Sequence, residues 1–321
     1  MNMQALSHMQ EVALSGTPSN RFNNLSLSSS SSSLVAYVDK ENVRVDDLSD
    51  KSGKLLPIRG ARAVTLARFI SIDCLEYLGV TSDVGLHLFD ATGETLLATF
   101  KIENFPENDD CKADPSRSEY CCGVSGIHGT PLLVCGSSQG NLAVLHYDRK
   151  RKSFDLESTL KGHRRSVCTV ETSVSHIVSG DELGMVIVWN SNTLEQQCQF
   201  PSMGPPCSSI CIRANTVVAA FVSGVVRVYF INECRVKFEV DSHCRALNAM
   251  DLHPFHDVFA TVGEDGVINV WKLPDKRSER FHLVSSEYLE DHMLVGVSFA
   301  KDNTNKVATT SYDRKSLIVR Y

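Results

Sequence analysis

The 321-residue sequence predicts an all-β protein whose strands close into a ring. Three observations carry that prediction. Short β-branched runs alternate with glycine-bearing turns along almost the whole chain. One unit recurs seven times: an apolar run, a turn, then an alternating run ending on a large residue. No stretch keeps a period of about 3.6 residues long enough for a substantial helix.

The hairpins follow in order. LVAYVDKENVRVDD starts at Leu34, LEYLGVTSDVGLHLFD at Leu75, and PLLVCGSSQGNLAVLHYD at Pro131. HIVSGDELGMVIVWN covers 176–190, TVVAAFVSGVVRVYF starts at Thr216, VFATVGEDGVINVWK covers 258–272, and KVATTSYDRKSLIVRY starts at Lys306. An apolar run, a turn and an alternating run are a hairpin signal. The closing residues are Val45, Phe89, Leu145, Trp189, Tyr229, Trp271 and Tyr321, spaced by 44, 56, 44, 40, 42 and 50. A β-propeller repeat runs about 40–45 residues with four strands per blade. The polar insertion 103–119 accounts for the longest spacing.

Two further strands flank each hairpin. Inner candidates include SVCTVETS (166–173), ALNAMDLHP (246–254) and MLVGVSFAKD (293–302); outer ones include TLLATFKI (95–102), TLEQQCQF (193–200) and RVKFEV (235–240). Strands buried on both faces read as near-continuous Val/Ile/Leu runs, as the hairpins do. The seventh unit ends the chain without an outer strand. Glu11 to Gly16 stands where one would stand, before a first inner strand placed at Phe22 to Ser28. The expectation is that this N-terminal strand pairs with the C-terminal blade and removes an open edge. The resulting organisation is a flexible N-terminus at 1–9 and a single propeller at 10–321, with a low-complexity serine loop at 28–33.

Composition narrows the function classes. Hydrophobic residues make up 42% and charged residues 22%, so a packed core is within reach. A net charge of −6 argues against a nucleic-acid surface, which needs a basic field. No apolar run reaches the ~18 residues of a membrane-spanning helix. The first residues lack a charged segment followed by an apolar one, so secretion is not expected. The 11 cysteines show no paired spacing and read as reduced thiols of a cytoplasmic protein.

Gly162-His163 precedes Trp189-Asn190, and Ser242-His243 precedes Trp271-Lys272, with His-to-Trp gaps of 26 and 28. This pattern resembles the Gly-His…Trp-Asp signature of WD40 repeats. The resemblance implies a seven-bladed WD40 β-propeller. It also implies a buried hydrogen-bonded tetrad of His243, Thr261, Asp265 and Trp271. The earlier unit supplies a partial tetrad, His163, Ser179 and Trp189. Leu183 stands at its Asp position, with Asp181 and Glu182 just before, so that blade reads as degenerate. Further stretches are similar to the WD repeat-containing protein 54 family: Asn23-Asn24-Leu25-Ser26, Gly204 to Ser209, His243 to Ala246 leading into Ala249-Met250-Asp251-Leu252, and Gly263-Glu264-Asp265. That kinship implies a cytoplasmic adaptor linked to signalling or vesicle traffic, with peripheral vesicle association.

No residue set points to catalysis. His, Asp and a hydroxyl near one another are the parts of a nucleophilic triad. In a propeller they satisfy each other inside a blade. Gly136 to Gly140 fits G-x-S-x-G, but that chemistry needs a strand-to-helix turn, and here two strands are joined. Cys207 with Cys211 and Cys121 with Cys122 are close pairs without a second pair to complete a zinc site. No phosphate-binding loop occurs, and no cofactor or metal is expected. Enzyme activity is therefore not expected; a propeller hydrolase is the remote alternative.

The candidate partner contacts are charged loops: Arg164 and Arg165, with Lys161 and with Lys150 to Lys152 nearby, and the acidic residues Asp109 and Asp110 of the 103–119 insertion. The expected function is a non-catalytic scaffold that binds other proteins or peptides through loops on its top face. It would bind no nucleic acid and have no integral membrane association. A substrate receptor of a ubiquitin ligase is the alternative. Such propellers carry an Arg two residues after a WD pair, which Trp189-Asn190-Ser191 and Trp271-Lys272-Leu273 lack.

Overall fold

The computed structural model describes residues 9–108, 119–275, 277–278, 280–302, 304–312 and 314–320. Strand β1 (Met9–Ala13) comes first and returns in the last blade. Blade 1 holds β2 (Ser26–Leu27), β3 (Leu34–Asp39), β4 (Asn42–Asp47) and β5 (Ser52–Pro57). Blade 2 holds β6 (Val64–Ile72), β7 (Leu75–Ser82), β8 (Gly85–Asp90) and β9 (Leu96–Lys101). Blade 3 holds β10 (Cys121–Gly126), β11 (Leu132–Ser137), β12 (Asn141–Asp148) and β13 (Ser153–Lys161). Blade 4 holds β14 (Val167–Thr172), β15 (His176–Asp181), β16 (Val186–Asn190) and β17 (Gln196–Phe200). Blade 5 holds β18 (Cys207–Arg213), β19 (Thr216–Phe221), β20 (Val225–Phe230) and β21 (Arg235–Asp241). Blade 6 holds β22 (Leu247–Leu252), β23 (Val258–Gly263), β24 (Val267–Lys272) and β25 (His282–Tyr288). Blade 7 holds β26 (Leu294–Phe299), β27 (Val307–Ser311) and β28 (Ser316–Arg320), and β1 is its fourth strand. The fold is the seven-bladed all-β ring that the hairpin period predicts.

Antiparallel order within each blade fixes two faces. The inner strands all begin at one face, here the upper face. It carries the connections from outer strand to next inner strand and the turns between second and third strands. The lower face carries the other two sets of turns.

Ring closure follows the expected pairing with a shifted span. β1 pairs antiparallel with β28, Met9 opposite Arg320 and Ala13 opposite Ser316. The strand therefore starts two residues before Glu11 and stops three before Gly16. Residues 14–16 leave it to latch onto blade 1. Leu14 still donates to the Lys315 carbonyl. Ser15 then donates from its amide and hydroxyl to Asp46 (2.7 and 2.6 Å), and the Gly16 amide donates to the Tyr37 hydroxyl (2.9 Å). Tyr37 donates in turn to Asp46 at 2.9 Å, and burial raises its phenol pKa.

The core lies between blades. Val178, Val186, Val188 and Phe200 of blade 4 pack on Ile210, Val217, Phe221 and Tyr229 of blade 5. The Phe200 and Tyr229 rings are 4.2 Å apart. The hairpin-closing residues Phe89, Leu145, Trp189, Tyr229 and Trp271 each sit at a register shift against their outer strand. Such bulges add local twist, so in blades 2 to 6 the large residue marks where the blade bends. Gly162 meets Trp189 closely: a Cβ there would lie 2.8 Å from its ring, which is one physical reason for glycine before His163.

Inner strands of blades 2 to 7 also carry a bulge, skipping Thr65, Gly123, Cys168, Ser208, Asn248 and Val295. The first inner strand departs from its expected span. Only Ser26–Leu27 pair as β2, because Asn24 does the pairing with its side chain. Its carboxamide accepts from the Val38 amide at 2.6 Å and donates to the Val38 carbonyl at 3.0 Å.

Candidate functional site

The two histidine tetrads are built alike. In blade 6, His243 meets Thr261 through Nε2 (2.9 Å) and Asp265 through Nδ1 (2.9 Å), and the Trp271 indole donates to Thr261 at 3.1 Å. Burial works against the Asp265 charge, but His243 and the amides of Cys244 and Val267 hold its carboxyl below the usual range. In blade 4, His163 meets Ser179 at 2.7 Å, and Trp189 donates to the same hydroxyl at 3.1 Å.

Blade 4 is not degenerate. Asp181 meets His163 Nδ1 at 3.0 Å and completes that tetrad. Asp181 occupies the position that Gly263 holds in blade 6, two residues after the hydroxyl. A Cβ on Gly263 would lie 3.1 Å from His243 Nδ1 and 3.2 Å from Asp265. Both positions therefore reach the same ring nitrogen, one from the strand end and one from the turn. The hydroxyls of Ser179 and Thr261 have no exposed surface. A nucleophile that meets no solvent meets no substrate, so each tetrad ties the connection entering a blade to that blade's second and third strands.

The G-x-S-x-G match behaves as turn chemistry. The motif serine, Ser138, sits just after β11 and its hydroxyl accepts from the Tyr120 amide at 3.1 Å, while Ser137 donates to the Asn141 carbonyl at 3.2 Å and strand β12 follows. Cys207 is fully buried in the seam between blades 4 and 5. Among the described residues, no three His, Cys, Asp or Glu side chains are placed to hold a metal ion.

A cavity of about 780 Å3 fills the ring centre. Asn20 to Asn23 form part of its roof at the upper face. Asn23 donates to the Ser208 carbonyl (2.8 Å) and its amide to the Asn248 carbonyl (3.1 Å), while the Asn24 amide donates to the Val295 carbonyl (3.0 Å). These carbonyls belong to the bulged residues of blades 5, 6 and 7. The bulges free polar groups toward the axis, and the Asn pair satisfies them. Toward the lower face, Arg68 pairs with Glu171 at 2.5 Å and Lys301 with Asp251 at 2.9 Å. Burial opposes the Arg68 charge, but Glu171, with Asp251 behind it, outweighs burial and raises its pKa. The thiols of Cys122, Cys168 and Cys211 line the waist. Burial pushes Cys122 up to about 12 and raises the other two, so all three stay protonated and unreactive.

Arg164 and Arg165 are exposed on the upper connection between β13 and β14. Lys150 to Lys152 do not join them. Those residues turn between β12 and β13 at the lower face, a nine-residue strand away, and Arg151 is paired with Asp148 and Asp155. The acidic insertion starts beside the arginines. Asn108 donates to the Gln139 carbonyl (3.0 Å) and the His163 carbonyl (3.2 Å), and Asn141 donates to Pro106 (2.7 Å). Asp109 and Asp110 lie outside the described residues, as does Tyr321. The serine run is partly tied down: the Ser28, Ser29 and Ser30 hydroxyls all donate to the Glu76 carboxylate.

Sequence reasoning missed Asp181, the Asn23–Asn24 roof and the Arg68–Glu171 pair. The Asn pair carried a signal, since its stretch stood out in the resemblance.

The WDR54 family model matches residues 59–321. The chain belongs to this family. Human WD repeat-containing protein 54 is 24% identical over 248 residues, covering 74% of this chain and 72% of that protein. A chain in a crystal structure of the mitotic checkpoint complex superposes with a TM-score of 0.76 at 14% identity, over 97% of this chain and 90% of that one. That likeness shows the propeller fold. WD-repeat propellers of this kind are protein-interaction scaffolds. Among the described residues, no helix is long and apolar enough to cross a membrane.

Proposed function

We propose that this protein is a non-catalytic adaptor that docks other proteins on its upper face, through Arg164, Arg165 and the acidic 103–119 insertion with Asp109 and Asp110. The observation that carries the reading is the Asn108 anchor, which roots the insertion at the His163 carbonyl, next to both arginines. The described start of the insertion is thus anchored beside the two arginines on a rigid ring. A partner bound there loses little entropy in ordering the scaffold. Kinship with WD repeat-containing protein 54 supports a cytoplasmic role in signalling or vesicle traffic.

Affinity purification of the full chain from native cells tests this reading. The arms are wild type, Arg164→Glu/Arg165→Glu, and Asp109→Lys/Asp110→Lys. Each charge-reversed protein is expected to lose a subset of partners while its thermal unfolding midpoint stays unchanged. An identical partner set in all three arms would remove the proposal.

A further inference from the structure

Strand β25 closes blade 6. It pairs with β24 on one side, and among the described residues no strand covers its other side. Every outer strand has such an edge, but this one is unlike the rest. Leu283, Val284 and Tyr288 are 49%, 40% and 65% exposed. Each other outer strand exposes at most one large apolar side chain among the described residues. Edge strands are kept from pairing by lysine or proline, or by being short. β5, β9, β13 and β21 each carry a lysine, and β1 and β17 are five residues long and expose glutamines. β25 has seven residues with no lysine, arginine or proline. It is also held firmly, because the Phe281 ring just before it stacks on Trp271 with centroids 5.0 Å apart.

The two ends of β25 carry opposite charge. Before it, at the lower face, residues 272–280 place Lys272, Lys276, Arg277 and Arg280 against Asp275 and Glu279, a net +2. At its upper end, Glu287, Glu290 and Asp291 give 287–291 a net −3. Run antiparallel against itself, the strand meets its own complement. Pairing centred on Ser285 sets Arg280 opposite the partner subunit's Glu290. It also puts Val284 diagonal to the partner subunit's Tyr288, a separation that an aromatic side chain spans. A foreign strand needs this reversed charge order by chance, whereas a second copy supplies it by symmetry.

We propose that β25 is a self-association edge, on which two copies of this chain join blade 6 to blade 6 as an antiparallel two-fold dimer. The two four-stranded blades then form one continuous sheet. Main-chain hydrogen bonds supply the affinity, and the exposed apolar side chains and the charge order supply the register. Firm seating of the strand keeps the ordering cost low. The dimer stands or falls independently of docking on the upper face.

The test is sedimentation velocity of the full chain over a concentration series at low and high salt, with hydrogen exchange at both ends of the series. The expected result is a concentration-dependent dimer that salt weakens. Exchange slows in β25 as concentration rises and stays constant in the other outer strands. Val284→Lys leaves a monomer with an unchanged thermal midpoint. Arg280→Glu and Glu290→Arg are each monomeric alone and restore a dimer when mixed in equal amounts. A wild-type chain that stays monomeric at every concentration would overturn the proposal, as would a dimer that survives Val284→Lys or a mixture of the two charge variants that stays monomeric. Protection of β25 only by a component of cell extract would assign the edge to a foreign strand and overturn it too.

Discussion

Side-chain chemistry at single positions decides how well each blade holds. Asp181 shows the point. Its carboxylate closes the blade 4 tetrad at His163 and also accepts the amides of Leu183 and Met185 at 3.0 and 2.9 Å. Removing it leaves a buried imidazole nitrogen unpaired, at a cost of about 1–3 kcal/mol. Asp181→Ala is therefore expected to destabilise by that amount in urea unfolding, and Asp265→Ala in blade 6 by a similar amount. A change within about 0.5 kcal/mol would match an ordinary surface site and refute the assignment. His87 gives a second residue-scale prediction. It lies between Ser82 and Thr99, and burial lowers its pKa from 6.5 to about 4. The unfolded chain therefore binds a proton that the folded one refuses. Stability from His87 is complete above pH 6.5 and is lost as pH falls toward 4, by about 3 kcal/mol. Wild type should lose that much more than His87→Gln between pH 7 and pH 4; equal losses would refute it. The blade 6 tetrad was legible because its spacing follows the family pattern. Asp181 was not, because sequence spacing hides that two positions reach one nitrogen.

Strands and connections were legible where side chains alternate and obscure where a side chain replaces backbone. The hairpins fall where the alternation puts them. The inner strand expected at Phe22 to Ser28 shrinks to Ser26–Leu27, because Asn24 imitates a ladder residue against Val38. Its carboxamide also donates to the Ser19 carbonyl at 2.7 Å, so one side chain orders the whole 19–25 connection. Asn24 is 2% exposed, and water cannot replace these bonds without opening the ring. Asn24→Ala is expected to cost about 2 kcal/mol or more. Hydrogen exchange should speed first at Val38 and Ser26, ahead of blades 3 and 4. Uniform acceleration across all blades would show that Asn24 has no local role. The bulges of the inner strands were invisible in sequence, since the skipped residues, from Thr65 to Val295, share no residue type.

The whole molecule is a closed ring whose centre is assembled from distant parts. The repeat period made the ring legible, because every blade needs the same alternation. The centre was not legible. Arg68, Glu171, Asp251 and Lys301 come from blades 2, 4, 6 and 7, and no local pattern brings them together. Closure depends on the N-terminus in two ways. β1 covers the edge of β28, and residues 14–16 carry the chain onto Asp46 and Tyr37 of blade 1. Leu14, which is 6% exposed, and Val12 pack with Leu317, Tyr37 and Leu27, so one apolar cluster spans the joint between blades 7 and 1. A chain starting at Thr17 loses all of this at once. It leaves the β28 edge open, with a row of unpaired backbone groups that templates association. It also strands the buried Asp46 carboxylate without the Ser15 donors. The truncated protein is expected to unfold at a lower temperature and to elute partly as aggregates in size-exclusion chromatography. Exchange protection should fall first in β27 and β28, next to the lost strand, and in β3 and β4, next to the lost latch. Blades 3 to 5 should keep theirs, because their seams are untouched. A truncated chain as soluble and as thermally stable as the full one would mean that the ring closes without β1.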